Sequence, residues 1–138
     1  MSKRPFKNFE ARYLFESSTG RLNDVRDICS SLRRDNCLTM CEARRCRLAL
    51  VEAVTNAIIH AHKGTAGKQI GVRIQVGGSG IVMEVKDDGR GFQLGSIPEP
   101  ELDQISGRGL FIIKRLMKKV EYKDNILRMT YERRKKTS

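Results

Sequence analysis

The sequence has few of the residues that mark several large classes of protein. It contains no tryptophan, three prolines and two histidines among 138 residues. No apolar run approaches the roughly 18–20 residues that a membrane span requires, and the first ten residues are basic and polar rather than a secretion signal. We therefore expect a cytoplasmic protein without membrane association.

Cysteine is also sparse, and its spacing excludes common metal and disulfide patterns. The four cysteines are Cys29, Cys37, Cys41 and Cys46, and no two of them form a C-x-x-C pair. With only two histidines to assist, a zinc site is not expected, and a disulfide framework fits poorly with a chain that has no export signal. We interpret them as reduced thiols, some packed as small hydrophobic side chains.

Positive charge is abundant. The chain has 27 lysines and arginines against 16 acids, a formal net charge of +11. Such an excess indicates an anionic partner, which could be nucleic acid, a membrane surface, nucleotide phosphates or an acidic protein. A single-strand nucleic-acid binder is disfavoured because its stacking aromatics are missing: there are five phenylalanines, three tyrosines and no tryptophan.

The hydrophobic pattern predicts one α+β domain over residues 1–138, with basic, frayed ends at about 1–7 and 133–138. The predicted order is β, α, α, β, β, loop, α, β, β. Because hairpins give antiparallel pairs, we expect a two-layer α/β sandwich with a mostly antiparallel sheet covered on one face by about three helices. The predicted elements are a strand at Phe9–Phe15, helices at Leu22–Leu32, Thr39–His62 and about Gly109–Lys119, a hairpin over Ile70–Val85 and a last hairpin from Tyr122 to Tyr131.

The long second helix carries the first chemical motif. Thr39 and Glu42 form a capping box at its start. Glu52 and Asn56 lie four residues apart and therefore on one helical face. The Asn oxygen is a hard ligand suited to Mg²⁺, and the Glu could deprotonate a hydroxyl beside it. Both polar groups could equally sit at a solvated edge.

The second motif is Asp87-Asp88-Gly89-Arg90-Gly91-Phe92, directly after a strand. Glycines let the backbone turn tightly and approach a ligand closely. The carboxylate of Asp87 could accept a hydrogen bond from an exocyclic amine. An ordinary Asp-Gly turn remains the alternative interpretation of this segment.

The third motif is Gly107-Arg108-Gly109-Leu110, at the start of the next helix. A helix N-terminus offers free N–H groups and a positive dipole end to a phosphate, and Arg108 adds a bidentate donor. The segment is not a Walker A loop, because no G-x-x-x-x-G-K-[ST] occurs. A simple loop-to-helix junction would look similar.

Taken in order, the three motifs resemble the signature of the GHKL, or Bergerat-fold, ATP-binding superfamily. The stretch Glu52-Ala-Val-Thr-Asn-Ala-Ile-Ile-His60 resembles its N-box. The closest likeness is to the anti-sigma-factor serine/threonine kinases of bacterial partner switching, and it runs from Phe9 to near Tyr131. His60 and His62 lie in or just beyond the N-box helix, so we interpret neither as a phosphoacceptor.

The resemblance implies ATP and Mg²⁺ as cofactors and assigns a role to each motif residue. Glu52 would be the catalytic base for a substrate serine or threonine, and Asn56 the magnesium ligand. Asp87 would read the adenine amine. The remaining nucleotide-binding positions are a pocket shaped by Gly89 and Gly91, a lid at Gln93–Ser106, and a phosphate contact at Gly107, Arg108, Gly109 and Leu110.

The resemblance also implies partners: a sigma factor that is sequestered and a STAS-type anti-anti-sigma protein that is phosphorylated, with a homodimer as the expected assembly. An ATP-bound switch that grips partners without phosphotransfer is the alternative. We expect no specific nucleic acid. The positive charge predicts a basic surface that steers an acidic protein, with Arg44, Arg45 and Arg47 on the N-box helix and Lys114, Arg115, Lys118 and Lys119 on the next.

Overall fold

A computed structural model of the chain describes residues 7–61, 68–87 and 105–133. For residues 60, 61 and 105–108 the description is limited to the backbone. The elements, in chain order, are β1 (Phe9–Glu16), a 3-10 turn (Thr19–Arg21), α1 (Leu22–Arg34), α2 (Met40–Asn56), a π-helical segment (Ala57–Ala61), β2 (Gln69–Gly77), β3 (Gly80–Asp87), α3 (Ile105–Leu116), β4 (Lys119–Lys123) and β5 (Ile126–Glu132).

The five strands form one sheet in the order β1-β2-β3-β5-β4, and every neighbouring pair is antiparallel. The predicted α+β class is confirmed. Alternate residues of each strand face the helices, as the two-residue period requires. The core side chains that the two central strands contribute are Ile70, Val72, Ile74, Val76, Ile81, Met83 and Val85.

The three helices pack as a layer on that face of the sheet. α1 packs against α2, and α2 also packs against α3 and β3. The helical spacing in α1 buries Val25, Ile28 and Leu32. α1 ends at Arg34, two residues beyond the predicted Leu32. Asn36 follows with a positive φ of 64°, a conformation that Asn tolerates better than most residues. Because α2 packs against both α1 and α3, it lies in the middle of the helical layer.

The last hairpin turns at Asp124 and Asn125, whose φ angles are 54° and 64°. Two consecutive positive φ angles are typical of the tight turns that join antiparallel strands, and Asp and Asn favour them. The backbone N–H of Asp87 donates to the carbonyl of Asn125 over 3.1 Å. The turn thereby supports the carboxyl end of β3.

The third helix begins and ends earlier than the sequence predicts. α3 spans Ile105–Leu116 rather than about Gly109–Lys119, and Lys119 already opens β4. The reason is tertiary pairing: the N–H of Lys118 donates to the carbonyl of Thr130 in β5 over 2.8 Å, which draws the chain into the sheet. The prediction that Lys118 and Lys119 lie on this helix is therefore wrong.

Arg133, at the start of the end that the sequence predicts to be frayed from about residue 133, is held in place. Its backbone N–H donates to the carbonyl of Ser79 over 3.0 Å, and its side chain is only 10% exposed in an ion pair with Glu42. This arginine fixes the end of the sheet to the start of α2. The residues beyond it lie outside the described part of the chain.

Candidate functional site

The second helix is positioned so that its C-terminal half carries the candidate site. The capping box at its start is formed: Glu42 N–H donates to Thr39 Oγ1 over 3.0 Å, and Thr39 N–H donates to Glu42 Oε1 over 3.0 Å. With its first turn satisfied, α2 runs for 17 residues to Asn56. Glu52 is half-buried on the turn before it.

Asn56 is the most informative side chain of the site. It is 1% exposed, and within the described residues neither Oδ1 nor Nδ2 has a hydrogen-bond partner. Buried side-chain amides are normally paired, because an unsatisfied one costs roughly 1–3 kcal/mol. A buried amide that has no partner among the described residues fits a group that binds a ligand.

Gly109 of α3 lies directly against this pair. A Cβ added to Gly109 would lie 2.8 Å from Glu52 Oε1 and 3.2 Å from both Asn56 Oδ1 and Nδ2. Contacts under 3.0 Å force something to shift, so only glycine lets the two helices meet here without displacing the carboxylate. The structure thus brings Glu52, Asn56 and Gly109 together from two elements that lie far apart in the sequence.

A π-helical segment follows Asn56 immediately. Its five residues, Ala57–Ala61, continue the predicted long helix with a wider turn, and the segment packs against β3. Short π segments occur frequently at functional sites. Sequence reasoning did not find this one, and its composition of alanine, isoleucine and histidine contains no clear signal for it.

Asp87 ends β3 on the face of the sheet that the helices cover. It is 3% exposed, although aspartate is rarely buried so completely. The strand that carries it contacts both α2 and the π-helical segment. Asp87 therefore ends a strand that packs against the helical segment carrying Asn56 and against the segment that follows it.

The phosphate-binding prediction falls on the first residues of α3. Gly107 lies in the first turn of α3, where helix N–H groups have no intrahelical acceptor. Arg108 follows it, and the description of Arg108 is limited to the backbone. Gly109 is the fifth residue of α3 and lies against Glu52. Its contact with a phosphate stays a prediction. Leu110 is 3% exposed in the core, beneath the site.

Several predicted parts of the site lie outside the described residues. These are Gly89, Gly91 and all of the lid Gln93–Ser106 except its last two residues. Ile105 and Ser106 belong to α3, so the lid as predicted extends two residues too far. The assignments to Gly89 and Gly91 stay predictions.

Cavity volume does not locate this site. A cavity of about 610 Å³ lies on the opposite face of the sheet, where its lining includes Arg12, Leu14 and Gly71, and none of the predicted site residues that the structure describes lines it. In the described ranges no three His, Cys, Asp or Glu side chains are grouped as a metal site would require. The amide of Asn56, which has no hydrogen-bond partner among the described residues, identifies the candidate site.

A comparison with protein families agrees with this geometry. The family model of the histidine kinase-like ATPase domain matches residues 15–131, most of the chain. The chain belongs to this family. It is therefore a GHKL-type, ATP-binding, kinase-like domain, and its α+β fold is the one that the family implies.

Two further findings concern similar proteins and the helices. No curated protein matches the chain. None of the helices in the described ranges combines the length and apolar character that a bilayer span requires.

Proposed function

We propose that this protein is a cytoplasmic, bacterial, ATP- and Mg²⁺-dependent serine/threonine protein kinase and anti-sigma factor. In one state it sequesters a sigma factor, and in another it phosphorylates a STAS-type anti-anti-sigma protein. A homodimer is the proposed assembly.

The observation that carries the proposal is the buried, unpaired amide of Asn56 beside Gly109 and Glu52. A purely structural asparagine at 1% exposure would be expected to hold a hydrogen-bond partner. The free-energy cost of burying the Asn56 amide is not offset by any described residue, and hydrogen bonds or coordination to a bound ligand would offset it.

The residues fit a magnesium ion. The Oδ1 atom of Asn56 is a hard oxygen donor, and Mg²⁺ in nucleotide sites commonly takes only one or two protein oxygens together with phosphates and waters. The described residues contain no group of three His, Cys, Asp or Glu side chains, and a site of this pattern does not require one. Magnesium, when bound, would neutralise charge on the nucleotide phosphates.

Glu52 fits the role of general base. It lies one turn before Asn56 and is half-buried, so its carboxylate can be reached from outside. In the proposed reaction Glu52 takes the proton of a serine or threonine hydroxyl, whose oxygen bonds to the γ-phosphorus of ATP. The bond from that phosphorus to the bridging oxygen breaks, and ADP leaves.

The other assignments position the nucleotide. Asp87 would accept a hydrogen bond from the adenine amine, and its burial favours such a specific contact over bulk water. Gly107 and Arg108 would meet the phosphates at the start of α3. Gly89 and Gly91 would shape the adenine pocket.

The partner assignment rests on the resemblance to anti-sigma-factor kinases and on the positive charge of +11. A strongly basic protein associates faster with acidic partners, in a manner that salt weakens. The acceptor would be a small STAS-type protein whose serine or threonine reaches Glu52.

The decisive experiment incubates the protein with labelled ATP, Mg²⁺ and the proteins encoded by neighbouring genes, and follows label on each. Glu52→Ala should retain ATP and sigma-factor binding while lowering phosphotransfer by about 10²–10⁴-fold, the usual contribution of a general base. Glu52→Gln serves as the matched variant that keeps the shape of the side chain.

The outcomes separate the proposal from its alternative. A wild-type protein that binds partners in an ATP-dependent way, yet labels none of them, would be a switch without phosphotransfer. A Glu52→Ala variant that labels its partner at the normal rate would remove Glu52 from the role of base.

A further inference from the structure

A second concave surface lies between α1 and α2, away from the candidate site. It encloses about 450 Å³. The residues that line this arginine groove are Cys29, Ser30, Arg33, Arg34, Met40, Ala43, Arg44 and Arg47. The helical spacings 29, 30, 33 on α1 and 40, 43, 44, 47 on α2 explain why these residues face each other across the helix pair.

The charge of the groove is of one sign. Four of its lining residues are arginines, and none is acidic. Arg34 donates to Ser31 Oγ over 2.9 Å, whereas the side chains of Arg33, Arg44 and Arg47 form no hydrogen bond or ion pair within the described residues. Like charges brought together on a surface repel one another, so this arrangement is unfavourable unless an anion offsets it.

Several arginines elsewhere on the described surface are paired with acids. Arg21 pairs with Asp24 over 3.2 Å, Arg73 with Glu84 over 3.1 Å, and Arg128 with Glu84 over 3.7 Å. What distinguishes the arginine groove is that four arginines line one concave surface with no acid among its described lining residues. This arrangement marks the groove as a place where the surplus charge of the chain is concentrated.

The floor of the groove is apolar. Cys29 and Ala43 are buried there, and Met40 is 49% exposed. Burial raises the pKa of the Cys29 thiol to about 12, with the positive charge of Arg47 acting in the opposite direction, so the floor itself carries no negative charge at neutral pH. A flexible methionine beside arginines suits an adaptable protein contact.

We propose that the arginine groove docks an acidic segment of a partner protein, whose carboxylates pair with Arg33, Arg34, Arg44 and Arg47 and whose apolar side chain rests on Met40. Guanidinium groups bind carboxylates in a bidentate, directional way. None of the described residues that line the groove is aromatic, and stacking aromatics are what a single-stranded nucleic acid would use. The apolar floor also favours a peptide over a phosphate backbone.

The groove is separate from the candidate nucleotide site. Arg44 and Asn56 are twelve residues apart on α2, which corresponds to about 18 Å along the helix axis. Docking in the groove therefore does not require contact with ATP, and the proposal does not rest on phosphotransfer at Glu52. It also places the charge that attracts a partner on α1 and α2, not at Lys118 and Lys119, which pair with Glu132 and Glu121.

The test measures fluorescence anisotropy of a labelled peptide rich in glutamate and leucine, with a glutamine-for-glutamate peptide as the neutral probe. The full chain carries either Arg33→Glu with Arg47→Glu, or Arg26→Glu with Arg45→Glu. Each double variant changes one exposed arginine on α1 and one on α2. Because each Arg→Glu change lowers the formal net charge by two, both double variants go from +11 to +7. Only the first pair lines the groove.

We expect the Arg33/Arg47 variant to bind the acidic peptide at least about tenfold more weakly, a loss of about 1.4 kcal/mol, and the Arg26/Arg45 variant to lose less than about threefold. Binding of ATP and the thermal unfolding midpoint should match the wild type in both, which excludes misfolding. Arg33→Gln with Arg47→Gln removes charge without reversing it and should give the same ranking.

Three results would overturn the proposal. Equal weakening in the two double variants would mean that only net charge matters. Equal binding of the neutral peptide would remove the electrostatic basis. Duplex DNA that displaces the peptide and depends on Arg33 and Arg47 would make the groove a nucleic-acid site.

Discussion

A polar side chain is buried near each end of α2, and the two differ in their hydrogen bonding. Near the start, Glu42 is 6% exposed and is fully engaged. Its Oε2 accepts from Arg133 Nε over 2.8 Å, and its Oε1 accepts from Arg133 Nη2 over 3.1 Å as well as from the Thr39 N–H. At the last residue, Asn56 is 1% exposed and has no partner among the described residues.

The partners of Glu42 show what a structural polar group does. Arg133 also donates to the carbonyls of Gly77 and Cys37, over 2.8 and 2.6 Å. One guanidinium therefore ties the end of β2, the α1–α2 connection and the start of α2 together. Each of the three guanidinium nitrogens donates to an acceptor within the chain, so the group stabilises the fold.

The contrast teaches that burial alone does not identify a functional polar residue. A buried group whose hydrogen bonds are satisfied within the chain favours the folded state. One whose hydrogen bonds are left open lowers stability, and that cost is retained only where something else binds. The predictions below test this distinction.

The largest effect should come from Glu42→Ala. It leaves the Arg133 guanidinium, 10% exposed, without its carboxylate, and breaking a buried pair from one side costs roughly 3–5 kcal/mol. Glu132→Ala is the matched control, because the Lys118–Glu132 pair is about 60% exposed on both sides and should contribute less than about 1 kcal/mol. Urea unfolding measures both, and equal losses would contradict the structural role of Glu42.

Asn56→Ala should behave in the opposite way. Removing an unpaired amide offsets the small cavity that is created, so the free energy of unfolding without nucleotide should change by less than about 1 kcal/mol. The Mg²⁺-dependent affinity for ATP should fall by more than about tenfold, or about 1.4 kcal/mol. Calorimetry with and without Mg²⁺ checks this. A large stability loss with unchanged affinity would make Asn56 a structural residue.

Gly109→Ala should give a smaller effect on the same site. The added Cβ would press on Glu52 Oε1 at 2.8 Å, and displacing a reacting group should lower phosphotransfer by up to about tenfold. Stability without nucleotide should stay the same or rise by up to about 1 kcal/mol, since alanine favours helix. Gly77→Ala, whose Cβ would meet nothing within 4 Å, is the control. Normal transfer in Gly109→Ala would argue against a tight fit at this contact.

The smallest effect concerns pH. Burial raises the pKa of Glu42, but hydrogen bonds from Arg133 and Thr39 outweigh it and hold the pKa below its ordinary value of 4.5. The stabilising contribution is therefore complete above about pH 4.5 and is lost as the pH falls through the lower folded-state pKa. Unfolding curves between neutral and acidic pH should show this loss, and Glu42→Gln should flatten that slope. An unchanged slope would mean that another carboxyl dominates.

Much of the fold could be predicted because its signals are local. The Thr39–Glu42 capping box, the alternation in β1 to β3 and the Asp124–Asn125 turn each involve residues a few positions apart. The motif order also indicated the ATP-binding family, which the family comparison supports. The end of α3 could not be predicted in this way, since the pairing of Lys118 with Thr130 competes with helical spacing that remains favourable as far as Met117.

By itself the sequence determined the element order, the two-layer class and the candidate residues Glu52, Asn56 and Asp87. Only the tertiary structure decided which buried polar groups are satisfied. Arg133 reaches Glu42 across 91 residues of sequence, and Gly109 reaches Glu52 from another helix. Helical and strand periods are set by backbone geometry within a few residues, whereas the partners of a buried side chain depend on which distant elements the core brings together.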